Sequence, residues 1–247
     1  MLFGFLNNKN NLKNPVDISV LKTDMHSHLI PGIDDGASTI EESLNLIRKM
    51  KECGFSKIIT TPHIMSDNFK NNPEIILSGL EVLRKAVKAE GIDIEIEAAA
   101  EYFIDDGFEK LFQNNELLTF GDNYLLVELS YFYFYNGFFS LLFELNVAGY
   151  KVILAHPERY SYFHDKYDIY EEMKNRGLYF QLNTISLSGY YSKKVQKTAE
   201  KLIDLGFIDF AGSDIHNIDY FLNFKKTLHN IYLEKLINSG KLKNNLL

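Results

Sequence analysis

The chain has 247 residues, 46% of them hydrophobic, and a formal net charge of −7, which suits an ordered globular protein and argues against a nucleic-acid partner. No cluster of basic residues reverses that sign locally. The one cysteine, Cys53, has no partner for an internal disulfide, which fits a reducing, cytoplasmic setting.

The first six residues, Met1 to Leu6, are apolar but follow no positive charges and give way to an Asn/Lys-rich stretch, too short for a signal peptide or a membrane span. Residues 1–20 read as a tail or an approach to the first strand, and 21–247 as a single domain with no membrane insertion. Strands are predicted at Val20–Met25, Lys57–Thr61, Ile92–Ala100, Tyr124–Leu129, Lys151–Ala155, Leu178–Leu182 and Phe207–Ala211. Helices lie between them. Ser38-Thr39-Ile40-Glu41 reads as a capping box ahead of Ile40, Leu44, Ile47 and Met50, with Cys53 as a packed thiol near the end and Gly54 as the stop. Asn72-Pro73 opens a helix whose Ile76, Leu80, Leu83 and Val87 share one face. A short helix follows near Gly107 to Asn114. Gly137 to Ala148 is apolar nearly all round and is expected to be well buried. Further helices are expected at Asp165–Arg176, after the Ser192 cap, and over Tyr220–Leu236.

Strands alternating with helices through short connections predict an α/β fold with parallel strands and right-handed crossovers. No Gly-x-Gly-x-x-Gly follows the first strand, which removes the usual support for a dinucleotide-binding sheet. A distorted (β/α)7, TIM-like barrel is the preferred closure, with an open doubly wound sheet as the alternative.

The ends of these strands share one chemical character. The first runs into His26 and His28, with Asp34-Asp35-Gly36 after it, and the second into Thr61-Pro62-His63. The third ends in Glu101, the fourth in Glu128, the fifth in His156-Pro157, the sixth in Gln181-Leu182-Asn183, and the seventh in Asp214-Ile215-His216. Five of the seven histidines stand at such ends, leaving His164 and His229 aside. At the C-terminal rim of a barrel such residues converge. Gathering buried carboxylates costs several kcal/mol each unless cations neutralise them. Histidine–carboxylate donors without cysteine suit manganese, iron or zinc in a cluster of two or three ions, which supplies hydroxide at neutral pH and braces a displacement at phosphorus.

On these motifs (Asp-x-His-x-His, Asp-Gly, Thr-Pro-His, Ala-Glu, Ala-His-Pro-Glu-Arg and Gly-Ser-Asp-x-His) the chain resembles the polymerase and histidinol phosphatase (PHP) superfamily. More narrowly it is similar to the bacterial manganese-dependent protein-tyrosine phosphatases of capsule and exopolysaccharide synthesis. The marks are His26–Ala37, His156–Tyr160 and Ser213–Asn217, in family order. The resemblance implies a PHP-type (β/α)7 barrel with metal at its C-terminal rim, held by His26, His28, Asp35, His63, Glu101, Glu128, His156, Asp214 and His216. It implies catalytic roles for Arg159, Asp35 and His156, with Arg159 gripping phosphate through its planar guanidinium. Asp34 falls behind the ligands. The implied cofactor is Mn2+, with iron or zinc as alternatives, and the implied partner is the phosphotyrosine-bearing tail of a bacterial tyrosine kinase; oligomeric state stays open. One departure stands out: the family's second arginine, a few residues past Asp-x-His-Asn, is absent, and Lys225 or Lys226 is the nearest cation. Readings that keep the site are a histidinol-phosphate-type phosphatase and a non-catalytic, metal-stabilised regulatory partner. Tyr131–Tyr135, Tyr160, Tyr162, Tyr190 and Tyr191 either wall the cleft for an aryl phosphate or pack the core.

Overall fold

Two parallel sheets carry the fold in the computed structural model, which describes residues 11–247; residues 1–10 of the predicted approach segment lie outside the described residues. Residues 11–16 run against the far end of the chain, where the Leu12 and Val16 amides donate to the His229 and Leu228 carbonyls at 2.6 and 2.7 Å. The first sheet joins β1 (Thr23–Asp24), β2 (Lys57–Thr60) and β4 (Glu95–Ala98) in that order. The second runs β3 (His63–Ile64), β5 (Glu101–Phe103), β6 (Tyr124–Glu128), β7 (Lys151–Ala155), β8 (Tyr179–Asn183) and β9 (Phe210–Gly212). Every pairing is parallel.

Seven predicted strands thus become nine, because the second and third are each followed, past a break at their predicted ends, by a further short strand, β3 and β5. The second breaks at Thr61-Pro62: proline has no amide to give a ladder, and the Thr61 amide donates sideways to the Ser27 carbonyl at 2.7 Å. The third breaks at Ala99-Ala100, where the Glu101 amide is taken by the Pro62 carbonyl at 3.1 Å. The first strand is far shorter than expected because Val20 and Leu21 belong to a 3-10 turn and Lys22 sits at φ 60°. Beyond β9 the chain returns to β1: Asp214 N–H donates to the His26 carbonyl at 2.8 Å, His28 N–H to Ile215 at 2.9 Å, and Ser27 bridges Ile215 in parallel.

The helices follow the apolar periodicity, with local corrections. In α1 (Ile40–Glu52) the cap is Thr39, which accepts from Glu42 N–H, and the Glu42 carboxylate reaches back to Ser38 N–H at 2.8 Å, so the capping box lies one residue later than read from sequence. Cys53, just past it, is half-buried. Asn72 and Ser192 cap α2 (Pro73–Ala89) and α6 (Lys193–Leu205) as expected. The short α3 covers Asp106–Gln113, and α5 covers Tyr167–Asn175. The apolar α4 (Phe138–Val147) is buried on one face only, with Phe143 and Val147 68% and 71% exposed, because it covers the sheet from outside. The single last helix expected over Tyr220–Leu236 is two, α7 (Ile218–Thr227) and α8 (Ile231–Asn238), separated where residues 12–16 take the Leu228 and His229 carbonyls and where Asn230 caps the new start.

Alternation along the strands separates two environments. Leu125, Val127, Val152, Leu154 and Leu182 pack outward against the helices. Leu126, Ile153 and Phe210 face the other way and meet Met25 and Ile59. Further along that same inward face stand Glu128, two residues past Leu126, and Gln181 and Asn183, two and four residues past Tyr179, so apolar filling gives way to polar groups at the C-terminal ends. Below the filling, fully buried Asn244 accepts from Ala211 N–H at 3.0 Å and donates to the Thr23 and Ala211 carbonyls at 3.0 and 2.7 Å, tying β1 to β9. Asn244→Ala strands all three backbone groups and is expected to lower the unfolding free energy by about 2–4 kcal/mol in urea titration; a loss under about 1 kcal/mol would contradict this role.

Candidate metal centre

The site begins where β1 ends. Buried Asp24 accepts from Ser213 N–H at 2.9 Å and Ser213 Oγ–H at 2.7 Å, and burial pushes its pKa up to about 7 against those bonds. Past it, alternation puts His26 and His28 on one side, with Nε2 atoms 3.3 Å apart. The chain then turns back through Gly36, where a Cβ would come 2.2 Å from the His28 carbonyl oxygen, so this close approach admits glycine alone. The turn delivers Asp34, whose Oδ2 lies 2.7 Å from His28 Nδ1 and also accepts from His63 N–H at 3.1 Å. Asp34 therefore holds the back of His28 and faces away from the centre.

Four donors form a compact cage. His26 Nε2 is 3.1 Å from Glu101 Oε2 and 3.3 Å from Asp214 Oδ1, and His28 Nε2 is 3.4 Å from each. All four atoms lie within 4.8 Å of one another, close enough to share one first-row metal ion through bonds of ordinary length, ~2 Å. A second group joins His28, Asp35, His63 and His216, and a third His63, Glu101 and Glu128; within each, donor atoms lie within 4.8 Å of one another. Asp35 Oδ1 is 3.3 Å from His216 Nε2 and 3.6 Å from His63 Nε2, with its side chain 55% exposed at the mouth. His156 Nε2 reaches Glu101 Oε1 at 2.9 Å. All nine candidate ligands thus meet in one region. His156 and Asp214 adopt left-handed backbone, φ 35° and 52°, a strain held by the surrounding hydrogen bonds and typical of functional positions.

Sequence reasoning placed Gln181 and Asn183 at a strand end but gave them no role. Gln181 Oε1 accepts from His156 N–H at 3.2 Å and lies 2.9 Å from His26 Nδ1, fixing that ring. Asn183 Nδ2 donates to Asp214 Oδ2 at 2.6 Å. Phe69, stacked on His63 at 5.4 Å, gave no signal in the sequence. Arg159 pairs with Asp214 Oδ2 at 3.2 Å rather than with Glu158, and its guanidinium lies between the rings of Tyr131 and Tyr191, 4.8 and 4.2 Å from their centroids. Glu158 is turned inward, accepting from Asn183 N–H and Ser186 Oγ–H. A cleft of about 350 Å³ opens above the donors, walled by Tyr131, Phe132, Phe69 and Tyr220. Arg159 is the only arginine or lysine lining it among the described residues; Lys226 bonds Asn223 instead, so neither lysine replaces the absent arginine there. The aromatic run divides its work: Tyr131 and Phe132 line the cleft, Phe134 packs on Phe138 and Phe163, and Tyr135 bonds Glu109. Tyr160 is buried and Tyr162 donates to the Ser130 carbonyl, so both serve packing.

These residues fit a metal cluster. Four carboxylates (Asp35, Glu101, Glu128 and Asp214) lie in the centre, with Asp34 behind His28, and Arg159 is the one permanent cation lining the cleft among the described residues. His63 Nδ1 lies 3.0 Å from Glu128 Oε1 without hydrogen-bond alignment, and His156 Nδ1 is buried without a partner. Burial is the largest influence on each ring and works against its charge. At His26 the Glu101 and Asp214 carboxylates outweigh it, at His28 chiefly Asp34 does, and at His63 Glu101 and Glu128 carry the pKa up to about 9. His156 goes the other way, lowered by burial and then by Arg159, which favours the neutral ring that binds metal. Between the ordinary value of 6.5 and about 9, His63 holds a proton that a cation must displace. Manganese affinity, read by calorimetry in buffers of different ionisation enthalpy, is expected to rise across that window with proton release. With EDTA present, the stability due to the protonated His63 pairs is complete below pH 6.5 and lost as pH rises through about 9, so Tm falls across the window. An affinity independent of pH would contradict the assignment.

Known proteins bear on this geometry. The chain is 28% identical over 196 residues to tyrosine-protein phosphatase YwqE of Bacillus subtilis (strain 168), spanning 79% of this chain and 77% of that one. It is 28% identical over 223 residues to a putative tyrosine-protein phosphatase CapC of Staphylococcus aureus, spanning 89% and 84%. A solved structure described among those of YwqE from Bacillus subtilis and CpsB from Streptococcus pneumoniae, unique metal-dependent tyrosine phosphatases, matches with a TM-score of 0.76 at 25% identity over 89% of this chain and 87% of that one. An amidohydrolase from Mycoplasma synoviae shares the fold, with a TM-score of 0.55 at 15% identity, over 94% and 87%. The family model for capsular polysaccharide synthesis, CpsB/CapC, matches residues 22–221, a span that contains every donor described above, and the chain belongs to that family.

Proposed function

We propose that this chain is a metal-dependent protein-tyrosine phosphatase that removes phosphate from the tail of a bacterial tyrosine kinase controlling capsule or exopolysaccharide synthesis. The observation that carries the reading is the meeting of nine histidine and carboxylate donors with one oriented arginine under an aromatic-walled cleft. Relatives named as tyrosine-protein phosphatases support it. The domain is residues 21–247, closed as a distorted (β/α)7, PHP-type barrel; the Ser27–Ile215 bridge and the Asn244 tie between β1 and β9 favour closure over an open sheet. No helix among the described residues is long and apolar enough to cross a membrane.

His26, His28, Asp35, His63, Glu101, Glu128, His156, Asp214 and His216 would hold two or three divalent cations, manganese before iron or zinc. Bound there, such ions supply a nucleophile from water at neutral pH and offset charge on the phosphoryl oxygens. The chain's own contribution is orientation. Asp214 and the two tyrosine rings fix the Arg159 guanidinium, so its remaining N–H groups can grip non-bridging oxygens at little entropic cost. Tyr131, Phe132 and Tyr220 offer faces for the substrate's phenyl ring, which favours aryl over alkyl phosphates such as histidinol phosphate. Phenolate leaves readily, so a strong general acid is less needed; half-exposed Asp35 stands where water and leaving group pass.

With manganese, the chain is expected to hydrolyse p-nitrophenyl phosphate and phosphotyrosine peptides far faster than histidinol phosphate, and EDTA is expected to abolish this. Activity surviving EDTA would contradict the metal reading, and a preference for histidinol phosphate would favour the small-molecule alternative. Arg159→Lys keeps the charge but loses the fork and the stacking, and should lower kcat/KM by about 10²-fold. His156→Ala should cost at least as much. Thermal stabilisation by manganese without turnover would identify a regulatory partner instead.

A further inference from the structure

Beside the metal cleft, and sharing Met65 with it, lies a second cavity of about 440 Å³. Ile64, Tyr102 and Phe108 make an apolar floor, and Lys70 and Lys110 stand at the rim. Both lysines are exposed, and neither has an ion-pair partner among the described residues. The one carboxylate that lines the cavity, Asp105, is already engaged: Oδ1 accepts from Gly107 and Phe108 N–H at 2.9 Å each, and Oδ2 accepts from Ser66 N–H at 3.0 Å. Two backbone donors at the start of α3 and a third from Ser66 hold that carboxylate in place, so the two lysines remain open to an outside anion, with Asp67 and Asp106 exposed next to the lining.

The groove is also preformed and held in register with the centre. Met65 N–H donates to the Phe69 carbonyl at 2.9 Å, closing the loop between the two cavities. Asn71 Nδ2 donates to the His63 and Ile33 carbonyls at 2.8 Å each, tying that loop to the segments that carry His63 and Asp34. Such preorganisation lowers the ordering cost for whatever binds.

We propose that this groove receives the residues flanking the phosphotyrosine of a polypeptide substrate and selects an acidic side chain between Lys70 and Lys110. The proposal rests on the phosphatase reading and adds a specificity subsite to it. Continuity with the cleft through Met65 gives the path, and two unpaired cations over an apolar floor give the preference for an acidic residue with an aliphatic stem.

The test compares wild type with Lys70→Gln/Lys110→Gln on two phosphotyrosine peptides of equal length, one flanked by glutamate and one by glutamine, with p-nitrophenyl phosphate alongside. Wild type should favour the acidic peptide by about fivefold in kcat/KM, carried by KM, as expected of two partly exposed charge pairs. The double variant should lose that preference and keep its p-nitrophenyl phosphate rate within about twofold. No preference in wild type, or a preference that survives in the variant, overturns the proposal. Fluorescence anisotropy with the corresponding non-hydrolysable phosphonate peptides reads the same preference without turnover. A wild type inert toward every aryl phosphate would therefore overturn the phosphatase reading, while anisotropy still decides the groove.

Discussion

The Glu101 carboxylate is fully buried, and four imidazoles converge on it: His156 at 2.9 Å, His26 at 3.1 Å, His63 at 3.2 Å and His28 at 3.4 Å. Burial alone would push its pKa up; the facing rings, His26 and His63 foremost, outweigh that and hold it well below the usual carboxylate range. Such an anion survives in an apolar interior only while positive charge surrounds it. Protonated imidazoles meet that need without metal, and divalent cations held by the same donors would meet it in their place. The rest of the centre is arranged around this choice, with Asp214, just past β9, repeating the same logic where His26, His28 and Arg159 face it.

The architecture bends to make that convergence. The register that sets Thr60 opposite Ala98 runs on unshifted to set His63 opposite Glu101, while the breaks at Thr61-Pro62 and Ala99-Ala100 pass β3 and β5 into the second sheet, where β5 pairs with β6. The same breaks free Ser27 to collect the Thr61 amide and the Thr60 hydroxyl, which secures the segment between the two leading histidines. The gathering of the donors, the return of the chain from β9 to β1 and the backbone strain at His156 and Asp214 are thus different faces of one packing problem.

Much of this was legible in the chain. The parallel α/β plan followed from alternating short apolar runs and capped helices, and the candidate site followed from polar residues placed just beyond those runs. What stayed hidden depends on partners far away in sequence. Nothing local to Ile92–Ala100 announces that the Glu101 amide belongs to Pro62. The division of the last helix needs residues 12–16 lying against Leu228 and His229. The exposed side of α4 follows from its place outside the sheet, which an all-round apolar pattern cannot convey. Gln181 and Asn183 are ordinary strand residues until His26 and Asp214 arrive beside them, and the clamp on Arg159 requires Tyr131 and Tyr191 from two separate loops.

Anomalous diffraction at the manganese edge, from crystals grown with manganese, examines the centre most directly. Peaks are expected among His26, His28, Glu101 and Asp214, and beside His63 within reach of Glu128 or Asp35, with those side chains as first neighbours. The absence of a peak there, or peaks held by other residues, would contradict a centre built on the buried Glu101 carboxylate.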